Sequence, residues 1–254
     1  MALDGKLNLA QAALAAALAL VPMQGSQIDL SEILAPAPSA DYSPVKETST
    51  IDGPFDSRSY ATWLAGTSAD VAGYAAEFDA NGFKRGYARS WVTLSSNTPQ
   101  EGVSRRNYLI ETVEAYASDA GARWRFDGVV SSTRGPSGNL VREIKTSIDG
   151  AFGAETDGSG IFFVMFAKGN DVYIVRMETA MDDLTKAVVA QGEKQFFLAP
   201  PFTIPPAQWT TGQPAGIPTA SKSLPVSTAI AVLGITAILT SLVIVFVRRR
   251  RRSA

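Results

Sequence analysis

The chain has 254 residues, 46% hydrophobic and 9% aromatic, with a net charge of −1 and neither cysteine nor histidine. Disulfides, thiolate metal sites and cysteine nucleophiles are therefore excluded, and a hydrolytic triad, zinc site or pH switch would have to be built from unusual parts. Arg248, Arg249, Arg250, Arg251 and Arg252 are five of the 23 basic residues; the other 18 face 24 acidic ones, so the body is acidic, which argues against a nucleic-acid partner.

Residues 9–21 (LAQAALAAALALV) have the length of a signal-peptide core and are too short to span a bilayer alone. Lys6 supplies a thin positive region, which Asp4 weakens; the alternative reading is an amphipathic or core helix. Residues 1–26 are thus expected to be a signal peptide. Val21-Pro22-Met23-Gln24-Gly25-Ser26 resembles a bacterial lipobox in which Ser26 stands at the place of the acylated cysteine. Without a thiol no thioether lipid can form. Residues 27–54, rich in Pro, Ser, Ala and Asp, read as an extended leader.

Residues 55–198 are expected to form one extracytoplasmic α+β domain: a mainly antiparallel sheet of about five strands with packed helices. A first helix is predicted over 68–80, with Val71, Tyr74, Ala75 and Phe78 on one face, Ser68 as cap and Asn81-Gly82 as stop. Strands follow at 85–94 and 108–116. Ser118 and Asp119 open a second helix with a stripe of Ala122, Phe126, Val129 and Val130, and a third strand is predicted over 140–147. Residues 150–160, with four glycines, read as a mobile loop that matches no phosphate-binding pattern. Residues 161–167 (IFFVMFA) are apolar at both parities, so both faces should be covered. Lys168-Gly169-Asn170-Asp171 turns the chain into a strand over 172–178. Asp182 or Asp183 then caps a closing helix with Leu184, Ala187, Val188 and Gln191 on one side.

Residues 199–225 carry seven prolines and read as a semi-rigid stalk. Residues 226–247 are uncharged and long enough, at about 1.5 Å per residue, to cross the bilayer as one helix. The five arginines that follow place residues 248–254 in the cytoplasm and the domain outside. Leu224-Pro225-Val226-Ser227-Thr228 has the layout of a cell-wall sorting signal but lacks its Thr-Gly, so a permanent anchor is the expected outcome.

Residues 81–91 (NGFKRGYARSW) resemble a phrase that recurs in secreted actinobacterial domains of undefined function. The ending, a strand pair around Gly169 and then Asp182-Asp183-Leu184-Thr185-Lys186-Ala187, is similar to lipoprotein-type envelope domains of those bacteria. The resemblance covers roughly residues 55–197. It implies an envelope binding or assembly domain, in some cases with a PsbP/Mog1-like sandwich, and brings no catalytic residues with it.

Among the residues themselves, Arg85, Tyr87, Arg89 and Trp91 alternate along a strand and so share one side. They read as a recognition face or as a half-exposed strand whose arginine stems cover aromatic rings. Glu111 and Glu114 point to opposite faces and are not expected to share chemistry. No catalytic residue, metal ligand or cofactor is expected. The expected function is a membrane-anchored interaction module with a protein partner in the envelope: a sensor, an assembly factor or an accessory subunit. The alternative is a carrier for a lipid or small apolar ligand, with a cavity lined by residues such as Phe162, Val164 and Phe166.

Overall fold

Two long runs rich in β-branched and aromatic residues carry the architecture, because side chains alternating across a strand let both faces of a sheet be packed. In a computed structural model describing residues 28–45, 50–65, 70–98, 101–136, 138–156 and 160–210, these runs are β3 (Phe83–Leu94) and β4 (Arg106–Tyr116). Ahead of them lie β1 (Ser43–Pro44), β2 (Gly53–Phe55), α1 (Ser57–Ala65) and α2 (Val71–Ala80). After them come α3 (Asp119–Arg134), β5 (Leu140–Ile144), β6 (Phe152–Thr156), β7 (Ile161–Lys168), β8 (Asp171–Glu178), α4 (Thr185–Leu198) and a 3-10 turn at Pro206–Gln208.

The eight strands of the described residues join one sheet in the order β1-β3-β4-β8-β7-β6-β5, with β2 also pairing β3, and each of these pairings is antiparallel. The α+β class and the antiparallel sheet are as expected; the strand number is not. The additional strands are β1, β2 and β6. The last lies inside the glycine-rich stretch expected to be a loop. Gly153 sits against β5 so closely that a Cβ there would come 2.6 Å from the Ile144 carbonyl oxygen. Gly153 serves close strand approach rather than freedom.

α1, α2 and α3 cover one face of the sheet over Phe78, Phe83, Tyr116, Phe163 and Met165. On the other face α4 packs on β7 and β8 over Phe162, Val164, Phe166, Tyr173 and Val175. β7 is buried from both sides, as its unbroken apolar run requires.

Three expectations at the margins change. α2 starts at Val71 with Asp70 as its cap, accepting from Gly73 N at 2.9 Å, rather than with Ser68. α4 starts at Thr185 after Leu184, which provides no side-chain cap. Asp183 accepts from Thr185 N at 2.9 Å, whereas Asp182 braces the β3–β4 connection, accepting from the Ser95 hydroxyl at 2.7 Å and from Asn97 and Asn107. The third change is larger. Residues expected to be leader and stalk pack on the domain: Leu30, Leu34 and Ala35 are buried on the α4 side, and so are Ala199 and Thr203 beyond α4. The signal peptide at 1–26, the stalk beyond 210, the helix at 226–247 and Arg248 to Arg252 lie outside the described residues. Among the described residues no helix is long and apolar enough to cross a membrane.

The α4 layer is closed. Gly192 lies against Val164 such that a Cβ would come 2.9 Å from its Cγ1. Alanine would gain about 1 kcal/mol in helix propensity, but overpacking costs about 1–3 kcal/mol. Gly192→Ala is therefore expected to lower stability by about 1 kcal/mol, measured by denaturant titration; a stabilised variant would show space between α4 and the sheet.

Candidate functional site

Arg85, Tyr87, Arg89 and Trp91 do share the α4 face of β3, pairing with Ala115, Val113, Glu111 and Leu109 of β4. The Arg89 guanidinium lies 6.0 Å from the Tyr87 ring centroid and 5.9 Å from that of Trp91, an arrangement in which a cation covers apolar rings. This face is roofed by residues 28–37. Arg85 Nη2 donates to the Ile28 carbonyl at 2.8 Å and Arg89 Nη2 to that of Ser31 at 3.0 Å. From the other side Gln195 accepts from Ala35 N and donates to the Ile33 carbonyl, while Gln191 and Lys194 donate to that of Pro36. The strap has no sheet ladder of its own at this point, so these side chains satisfy backbone groups that burial would otherwise leave unpaired.

Under the strap lies Glu111, fully buried. Gln191 donates to its Oε1 at 2.6 Å, and its Oε2 has no hydrogen-bond partner among the described residues. Burial pushes its carboxyl up to about 8, against opposing help from the Gln191 hydrogen bond, Lys194 and Arg89. The group is thus held largely protonated at neutral pH.

Glu114 faces the other way, as alternation demands. It accepts from the Tyr60 and Tyr116 hydroxyls at 2.6 and 2.7 Å and from Arg125 Nε at 2.9 Å. Burial disfavours the Arg125 charge, but the Glu114 carboxylate beside it overrides this and holds the guanidinium well above its ordinary range. Phe78 lies under that guanidinium at 5.4 Å. Through this one carboxylate α1, β4 and α3 are joined, a structural task. The two glutamates cannot exchange a proton across the sheet.

A cleft opens at the N-terminal end of β3. Pairing with β4 slips between Phe83 and Arg85, so Lys84 is a bulged residue. The slip sends Phe83 into the aromatic cluster on the α1–α3 side and Arg85 to the opposite side, with Lys84 at the corner. Lys84 and Arg85 therefore border one cleft of about 480 Å³ whose far wall is formed by Thr203, Ile204, Gln208 and Thr210. That wall is fixed by Trp209 Nε1 donating to the Ile204 carbonyl at 2.8 Å and by Thr210 N donating to Ala117 O at 3.2 Å. Behind it Asp171 accepts from the Thr203 hydroxyl, and burial pushes its carboxyl up to about 7. Of the four sequence candidates only Arg85 reaches this cleft. Lys84, Thr203, Gln208 and Thr210 were missed; a Lys-Arg pair in a strand that otherwise alternates was the available signal.

Among the described residues no three acidic side chains come together to hold a metal ion. No family model matches the chain, and no curated protein does. Among solved structures the extracellular domain of PknH from Mycobacterium tuberculosis is similar: 15% identical, it covers 66% of this chain and 95% of that chain, with a TM-score of 0.36. A likeness that loose carries no functional weight.

Proposed function

We propose that the chain is a membrane-anchored extracytoplasmic interaction module, non-enzymatic, which meets a protein partner in the cell envelope at its surface as a sensor, assembly factor or accessory subunit. The anchor and orientation rest on the uncharged run at 226–247 and on Arg248 to Arg252 after it. The choice of a surface module over a carrier rests on one observation: Phe162, Val164 and Phe166, which would line an apolar cavity, are buried beneath α4 with contact closed at Gly192. A guest there would have to displace the helix.

The test is purification of the full chain from native membranes in mild detergent, followed by native mass spectrometry. A stoichiometric protein partner and no apolar ligand is the expected result; a bound lipid retained after residues 28–210 are released by protease would favour the carrier. In intact spheroplasts, protease added outside should digest residues 55–198 while a reporter after Ala254 stays protected. Protection of the domain would reverse the orientation.

A further inference from the structure

We infer that the cleft at the β3 bulge binds a phosphate group. The inference rests on the reading of this chain as a surface recognition module and names the chemistry that one of its surfaces takes.

The bulge performs a task that a regular strand cannot. Side chains of consecutive residues in a strand point to opposite faces, so Lys84 and Arg85 would be separated by the sheet. With Lys84 bulged, both cations border one concavity. Neither makes an ion pair among the described residues, and no carboxylate lines the cleft. Arg85 uses Nη2 on the Ile28 carbonyl, while its Nε is buried without a hydrogen-bond partner. Two acidic groups act on Arg85 from farther off, Asp29 of the strap and Asp171 of β8. Asp171 stands behind Thr203 and is tied to that hydroxyl. Asp29 and Asp171 therefore temper the Arg85 charge without a contact ion pair, and Lys84 makes none among the described residues.

The opposite wall supplies neutral polar residues: Thr210 and Gln208 border the same space, and neither side chain is committed to a hydrogen bond among the described residues. Ile204 and Pro205 add apolar surface for what the phosphate carries. Arginine and lysine together suit a tetrahedral oxyanion, the guanidinium through the N–H groups that the strap leaves unused and the ammonium as a point charge. A volume of about 480 Å³ suits a phosphorylated small group and not a folded element. That phosphate can belong to a soluble monoester or to an anionic lipid headgroup; the recognition chemistry is shared.

The experiment uses the full chain in phosphatidylcholine nanodiscs, titrated with inorganic phosphate by calorimetry at constant ionic strength. Saturable binding is expected, displaced by sulfate and not by chloride. Lys84→Glu, at an exposed position outside the strap contacts, should weaken it by at least about tenfold with unchanged thermal unfolding, because it reverses one of two cations. Arg85→Lys should also weaken it while keeping a cation able to reach the strap. Repeating the titration in phosphatidylglycerol nanodiscs separates the sources: loss of phosphate uptake identifies the headgroup as occupant, and unchanged uptake identifies a soluble phosphate. No saturable heat up to about 10 mM phosphate in phosphatidylcholine, where affinity would be too weak to be specific, or equal binding by Lys84→Glu, would overturn the site. Since partner capture is scored separately, a partner that still co-purifies would leave the interaction module standing and remove the phosphate site alone.

Discussion

Replacing Glu111 with glutamine is expected to raise stability at pH 8 by on the order of 4 kcal/mol and to flatten its decline from acid to neutral pH. Glu111 has an ordinary carboxyl value of 4.5 and is pushed up to about 8 by burial under the strap and α4. A group whose folded value is raised binds more protons in the folded state between those two values. Stability is therefore full below about pH 4.5 and is lost as pH rises to about 8, at about 1.4 kcal/mol per unit in the middle of the window. Asp171 adds the same sign between 3.8 and about 7. The groups that oppose the shift are Gln191 and Lys194 of α4 and Arg89 of β3, and none of them releases the unpartnered Oε2. Denaturant midpoints followed from pH 5 to about pH 8.5 by tryptophan fluorescence provide the measurement. The variant should retain the part of the slope that belongs to Asp171 and to Glu77, whose carboxyl burial also pushes up. Parallel profiles for both proteins would show that Glu111 is solvated, and with it that the strap does not seal the face of β3.

The second large effect is expected on the other side of β4. Arg125→Met should cost about 3–5 kcal/mol, since it leaves the Glu114 charge buried without its counterion. That is a large part of the roughly 5–15 kcal/mol by which domains are stable. The tyrosine hydroxyls of Tyr60 and Tyr116 remain as donors, but neutral donors replace a charge-assisted pair. Adding Glu114→Gln should recover a good part of the loss, because the uncompensated charge is then removed, with a coupling of about 1–3 kcal/mol in the double-mutant cycle. Additive single effects would mean that the ion pair contributes no more than packing. Loss of this junction should also loosen α1 first, visible as faster hydrogen exchange over Ser57–Ala65, since Tyr60 is the residue by which α1 reaches Glu114.

What the sequence determined by itself was whatever depends on periodicity within one element. An apolar run at both parities meant that β7 is covered on both sides, and of the stripe Leu184, Ala187, Val188 and Gln191, Val188 and Gln191 are buried in α4, Leu184 is buried just before it and Ala187 is partly buried. The turn at Gly169, with φ of +60°, was legible because left-handed backbone selects glycine. The alternation of Arg85, Tyr87, Arg89 and Trp91 placed them on one face, and the separation of Glu111 from Glu114 followed from the same rule. Tertiary structure decided everything that depends on what a segment meets. The strap at 28–37 has the composition of an extended leader but turns at 30–32; its partners Arg85, Arg89, Gln191 and Gln195 lie far along the chain, so no local pattern announces them. β6 was hidden because Gly153 reads locally as freedom and is, against Ile144, a demand for close approach. The cleft depends on a one-residue slip at Lys84, set by register against β4 rather than by the strand's own residues. Local sequence governs which face a side chain takes within an element, while register, burial and charge environment arise only when distant elements close on one another.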